Sequence, residues 1–328
     1  MRTEEPAQGL GLPFDDVRFE SRLVWIFGSP RTGSTWLLNL LTFPLTLTTE
    51  RPSGSKLVRG APARVAALPI NEPYLPNHLT PTFNGFAEPG DPTFVLNPLR
   101  ADDPSYFFSD AFADSWRPEV RRLVLVRLHA QSELAAREHG LEEPVVVVKE
   151  PNGSHGADLV MSLLPRARMI FQLRDGRDVI DSLIHAQARD GWLGGPGGVT
   201  GIEGESERLA FVRRHSRLWV NRTMAVQRAY DAHSPELRWT VRYEDLRSDT
   251  RRALRPAVDW LGLERSDEEL EAAISTYDFD SVPAHARGPT KPLRAATPGL
   301  WRENMSAEER RTMEEIMGPK LVELGYEV

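Results

Sequence analysis

Two stretches of the sequence carry residue types suited to holding phosphate. The first is Gly28-Ser29-Pro30-Arg31-Thr32-Gly33-Ser34-Thr35. It follows the apolar run Leu23–Phe27, which reads as a buried strand, and runs into Thr35–Leu41, which reads as the start of a helix. A glycine-containing turn between a strand and a helix N-terminus turns backbone N–H groups toward an anion. The spacing is that of G-x-x-x-x-G-K-[ST], but Ser34 stands in the lysine's place and the nearby cation is Arg31. A triphosphate would lack its usual lysine contact, so the loop suits another anionic nucleotide better than ATP hydrolysis. A plain tight turn before a helix is the alternative. The second stretch is Arg174-Asp175-Gly176-Arg177-Asp178-Val179-Ile180-Asp181-Ser182. Arg174 follows the apolar strand pattern 168–173, which puts it at the carboxyl edge of a sheet, where ligands bind in α/β folds. Ser182 falls about two helical turns further on. The two side chains can reach one phosphate, although Arg-Asp pairs at helix starts are often only solvated turns.

Lysine is scarce here: 36 of the 40 basic residues are arginine and four are lysine. Lys149 is therefore informative. It closes the β-branched run Val145–Val148 and is followed by Glu150 and Pro151.

These residues need a frame, and the pattern supplies one. Strand-like runs at 23–27, 144–148, 168–173 and 237–241 alternate with helical spacing at about 121–138, 157–164, 177–188 and 206–231. Further helices are predicted over 250–262, 266–276 and 306–324, and Ser34 or Thr35 is expected to cap the first helix. Alternation of this kind predicts a three-layer α/β fold with a mostly parallel central sheet. Residues 50–120 hold 11 of the 26 prolines and many aromatics, and read as an irregular cap of short helices and loops. Residues 191–204 hold seven glycines and read as a mobile loop. With no repeat and no clear linker, residues 1–328 are expected to form one domain.

Composition narrows the function. The apolar share of 40% supports a sizeable core, and the net charge of −7 argues against bulk nucleic-acid binding. With no cysteine, thiolate metal sites, disulfides and a cysteine nucleophile are excluded. No apolar run approaches the ~20 residues of a membrane helix, and the acidic N-terminus does not read as a signal peptide. A cytoplasmic location is expected.

In order along the chain, GSPRTGSTWL, Lys149-Glu150-Pro151, RDGRDVIDS, Arg242-Tyr243-Glu244-Asp245-Leu246 and Gly299-Leu300-Trp301-Arg302 resemble the motifs of sulfotransferases that use 3′-phosphoadenosine-5′-phosphosulfate (PAPS) and release 3′,5′-diphosphoadenosine (PAP). The resemblance spans roughly residues 22–325. It implies a P-loop-like fold, sulfuryl transfer to a hydroxyl and no metal. It also implies roles for matching residues. Arg31, Thr32, Gly33, Ser34 and Thr35 would hold the 5′-phosphosulfate, with Trp36 on the adenine and Tyr243 near it. Arg174 and Ser182 would take the 3′-phosphate, with Arg287 or Lys291 as a further contact and Trp301 of the late motif as another cofactor-binding residue. Arg31 and Lys149 would stabilise the sulfuryl group. Arg31 replaces the lysine of cytosolic members and keeps the charge with bidentate geometry.

Pro151 stands where cytosolic members carry their histidine base. The base is therefore sought elsewhere, with Glu72 first, Glu150 second and His155 third. Some branches of the family place a catalytic glutamate in the region of Glu72. The acceptor is expected to be a small apolar or aromatic hydroxyl compound of secondary metabolism, seated between the cap and the glycine-rich loop. No nucleic-acid partner is expected, and a homodimer is possible on the sequence. A P-loop kinase or NTPase, or a non-catalytic nucleotide-binding protein, are the rival readings.

Overall fold

The structure is a computed structural model. It describes residues 15–45, 66–73, 82–84, 94–96, 104–105, 108–187, 191, 202, 204–282, 285, 288 and 295–328. The predicted glycine-rich loop, most of the cap, Arg287 and Lys291 lie outside the described residues.

Five strands form a wholly parallel sheet: β1 (Leu23–Phe27), β2 (Ala67–Asn71), β5 (Val145–Lys149), β6 (Arg168–Leu173) and β7 (Arg238–Arg242). Their order across the sheet is β2-β5-β1-β6-β7. Two three-residue strands, β3 (Thr82–Asn84) and β4 (Phe94–Leu96), pair separately. The sheet is parallel because a helix returns the chain after most of its strands, and parallel sheets are stable when covered on both faces. Strand β1 shows both covers. Leu23, Trp25 and Phe27 join one buried cluster with α3 (Ala113–His139), α4 (Ala157–Leu163) and α6 (Glu205–Ala232). Val24 and Ile26 join another with α2 (Ser34–Thr42), α8 (Thr250–Trp260) and α9 (Asp267–Tyr277). Between β6 and α6 lies α5 (Gly176–Gln187), which packs with α6 and α11 (Ala307–Glu323) around a third cluster. Two short helices complete the order: α1 (Asp16–Glu20) before the sheet and α7 (Tyr243–Ser248) directly after β7. A four-residue helix, α10 (Trp301–Asn304), precedes α11.

Three expectations are corrected. The segment 50–120 is not wholly cap: residues 67–71 add a fifth strand to the sheet, despite Pro69. Among the described residues strand β2 pairs with β5 alone, and proline is tolerated at such an edge because the ladder on the other side needs no donor. The helix read from residue 121 begins at Ala113 and carries Pro118 inside it as its sixth residue, where the ring removes one i→i−4 hydrogen bond without ending the helix. The cap of α2 is neither Ser34 nor Thr35. Gly33 takes the N-cap position in the left-handed region (φ 82°) and provides no side-chain cap. The N–H groups at this helix start are left for another acceptor.

Candidate active site

The loop between β1 and α2 is held at its base and open above. Ser154 Oγ accepts from Gly28 N–H at 2.9 Å and lies 2.7 Å from the Gly28 carbonyl. Thr32 Oγ donates to the Ser29 carbonyl at 2.9 Å, and Gln172 Nε2 donates to the Thr32 carbonyl, also at 2.9 Å. A side chain at Gly28 would put its Cβ 2.3 Å from the Gln172 carbonyl oxygen, so glycine is required for this approach. At Gly33 a Cβ would meet the Tyr243 ring at 2.7 Å, and the positive φ adds strain. Arg31 also has a positive φ (72°), an uncommon conformation for a residue with a Cβ. Such residues persist where surrounding contacts determine them, commonly at ligand sites.

The two phosphate-type stretches converge. Arg31 Nε donates to Ser182 Oγ at 3.0 Å. Arg174 Nη1 donates to the Arg31 carbonyl at 2.7 Å, and its guanidinium lies 4.2 Å from the Tyr243 ring centroid. Arg174 Nε is buried with no hydrogen-bond partner among the described residues. An orphaned buried donor is costly, and an anionic ligand would satisfy it.

The RDGRDVIDS stretch has a second, structural half. Arg177 forks onto Asp175, and Asp178 accepts from Gly299 N–H at 2.7 Å and Trp301 N–H at 3.4 Å. Burial holds the Asp178 carboxyl above its ordinary value, against the pull of those N–H groups and of Arg174. Asp178 thus ties the late GLWR motif to the start of α5. Trp301 serves this packing: it is 8% exposed, belongs to the α5–α6–α11 cluster, and lies under the guanidinium groups of Arg177 and Arg302.

Beside Arg174, Trp36 and Tyr243 pack edge to face at 6.1 Å. Burial holds the Tyr243 hydroxyl in its protonated form further above its ordinary range. Arg247 lies 5.7 Å from the Trp36 ring centroid and donates from Nε to the Ala296 carbonyl at 2.9 Å. It also lines a cavity of about 240 Å³ with Glu244, Ser248, Ala296, Thr297 and Pro298.

The three candidate bases differ sharply. Glu72, at the end of β2, has φ 38° and its backbone N–H donates to the Lys149 carbonyl at 2.8 Å. Its Oε1 accepts from Lys149 Nζ at 2.5 Å, and its Oε2 from Asn152 Nδ2 at 2.5 Å. Lys149 Nζ also reaches Thr35 Oγ at 3.2 Å. Neighbouring strands β2 and β5 put Glu72 and Lys149 side by side, and Thr35 brings in α2. Glu150 is 0% exposed and braces the turn after β5 by accepting from Gly153 N–H at 3.1 Å. His155 is kept neutral, its pKa lowered to about 4 by burial first and then by the charge of Arg222. Sequence reasoning did not select Asn152, Gln172, Ser154, Asp178 or Arg247. Two of them lay beside a signal: Asp178 inside the RDGRDVIDS stretch, and Asn152 one residue past Pro151, which stands where cytosolic members carry their base.

The model of the sulfotransferase family matches residues 24–267, and the chain belongs to that family. Among solved structures, mouse sulfotransferase SULT7A1 complexed with PAP is similar in fold, with a TM-score of 0.51, 12% identity, and 92% of this chain and 85% of that one covered. The sulfotransferase domain of the Synechococcus PCC 7002 olefin synthase gives a TM-score of 0.48 at 17% identity over 93% and 95% of the two chains. Sulfotransferase STF9 from Mycobacterium avium gives 0.47 at 14% over 94% and 78%. No curated protein matches the sequence.

Proposed function

We propose that this sulfotransferase carries a sulfuryl group from PAPS to the hydroxyl of a small acceptor, with Glu72 as general base. The observation that carries the reading is the meeting of Arg31, Arg174 and Ser182, which come from two stretches far apart in sequence. The residues present fit the donor: open N–H groups at the start of α2, the orphaned Arg174 Nε, and the Trp36–Tyr243 pair beside them.

PAPS supplies an activated sulfuryl group whose leaving group is the 5′-phosphate of PAP. The loop Arg31–Thr35 binds the phosphosulfate through its backbone N–H groups. Arg174 and Ser182 hold the 3′-phosphate, and Trp36 covers the adenine. Arg31 and Lys149 place positive charge where negative charge builds on peripheral oxygens. Glu72 receives the proton of the acceptor hydroxyl at Oε1 or Oε2. Glu150 is better placed to hold its turn than to reach an acceptor, and neutral His155 is the weaker alternative. The acceptor is a phenol or lipophilic alcohol, and the enzyme works in the cytoplasm as one catalytic domain.

Thermal-shift titration with PAP against ATP/Mg²⁺ tests the donor. PAP should stabilise the protein and ATP/Mg²⁺ should not; a shift with ATP/Mg²⁺ alone rejects the reading in favour of a P-loop kinase or NTPase. A panel of phenols, lipophilic alcohols and charged glycans tests the acceptor, and turnover of glycans only would reverse the acceptor class. PAP binding without turnover of any acceptor would indicate a nucleotide-binding protein without catalysis.

A further inference from the structure

We infer that Asn152 is a positioning residue for the general base: its side-chain amide holds the Glu72 carboxylate in place when Lys149 is engaged elsewhere. The inference rests on the reading of Glu72 as base.

The two oxygens of the carboxylate face two partners of different kind. Lys149 Nζ binds Oε1 and Asn152 Nδ2 binds Oε2, each at 2.5 Å. Their obligations differ. Lys149 also contacts Thr35 Oγ at the phosphosulfate loop, and it is the cation assigned to the sulfuryl group. An ammonium drawn to that charge competes with its own bond to Glu72. The amide of Asn152 is neutral and has no such second role. A carboxylate only accepts, so the atom facing Oε2 must be the amide nitrogen.

Asn152 is also set on a rigid base, as a positioning group must be. It lies in the turn that leaves β5. Glu150, fully buried, accepts from Gly153 N–H at one side of that turn. Ser154 clamps both the N–H and the carbonyl of Gly28 at the other. The same turn therefore fixes the phosphosulfate loop and the amide facing the base. Glu72 arrives with a left-handed backbone (φ 38°), which is strained for glutamate and is held by its N–H bond to the Lys149 carbonyl. One amide thus sets the reach of the base relative to the loop that carries the donor.

The test compares Asn152→Ala and Asn152→Asp with the wild-type full chain, saturated with PAP. Asn152→Asp keeps the shape but replaces the donor by an acceptor, so a role in filling space would survive it. Two readouts are taken: the ¹³C titration of the Glu72 side-chain carboxyl, which needs no acceptor, and turnover of PAPS. The Glu72 midpoint should rise in Asn152→Ala, which loses a donor. It should rise further in Asn152→Asp, where two carboxylates face each other. Turnover should fall roughly 10- to 100-fold in both, the effect of a misplaced reacting group, while the thermal shift with PAP stays as in wild type. An unchanged Glu72 midpoint with wild-type turnover in both variants overturns the inference. Glu72→Gln separates the two failures: wild-type turnover in that variant rejects Glu72 as base, whereas loss of turnover there with intact Asn152 variants rejects only the role of Asn152. If Asn152→Asp does not fold, Asn152→Ala alone decides by the same two readouts.

Discussion

Arg31 Nε and Ser182 Oγ stand 3.0 Å apart although 151 residues separate them in the chain. Arg31 belongs to the turn after β1 and Ser182 to the second turn of α5, and β1 and β6 are neighbours in the sheet. Right-handed crossovers bring the carboxyl ends of parallel strands to one rim. The adjacency of the two motifs is thus a consequence of strand order.

Arg174→Ala should weaken PAP binding by about 1.5–3 kcal/mol, the worth of a hydrogen bond to a charged group. The variant also loses the bond to the Arg31 carbonyl, so the 5′-phosphate contacts should loosen with it. Isothermal titration with PAP measures the loss.

Gly33→Ala should cost stability as well as affinity. Its Cβ would fall 2.7 Å from the Tyr243 ring, and φ is 82°. The left-handed region alone costs alanine about 1–2 kcal/mol. Adding Tyr243→Ala relieves the clash but not the backbone strain, so the melting temperature of the double variant should stay below that of Tyr243→Ala alone.

Lys149→Met should destabilise the fold more than Lys149→Met combined with Glu72→Gln. The side chains of the pair are 5% and 15% exposed, and removing one partner strands the other's charge. Breaking such a pair costs about 3–5 kcal/mol when buried, whereas a neutral replacement of both is far milder. Urea denaturation of the two variants gives the comparison.

Acid should destabilise the protein through two buried histidines. Burial lowers the pKa of His155 to about 4 and of His215 to about 3, from 6.5. Between those values and 6.5 the unfolded chain binds more protons than the folded one, so stability falls as pH falls from 6.5 toward 4. Melting temperatures across that window should drop less steeply in His155→Gln and His215→Asn than in wild type.

The sequence made the glycine turn after β1, the position of Arg174 and the alternating frame visible because each is a local pattern: a glycine turn after an apolar run, or an arginine just past a strand. It hid β2, whose Pro69 speaks against a strand unless its edge position is known. It also misled on the cap of α2, because Gly33 and its φ of 82° outcompete two good capping side chains. The partners Gln172 and Asn152 were hidden for another reason. Each acts across the sheet or across a turn, on residues 140 and 80 positions away, and neither belongs to a residue type that advertises chemistry. Trp301 stood inside a motif, yet its ring is committed to packing beneath two guanidinium groups.

The most direct test is a calorimetric cycle with PAP and 5′-AMP on wild type and Arg174→Ala. The two ligands differ by the 3′-phosphate alone. Wild type should bind PAP at least about tenfold more tightly than 5′-AMP, equivalent to one charge-assisted contact, and Arg174→Ala should lose most of that preference. Equal affinity of wild type for the two ligands, or a preference that survives the substitution intact, would contradict a single nucleotide bridging the two loops.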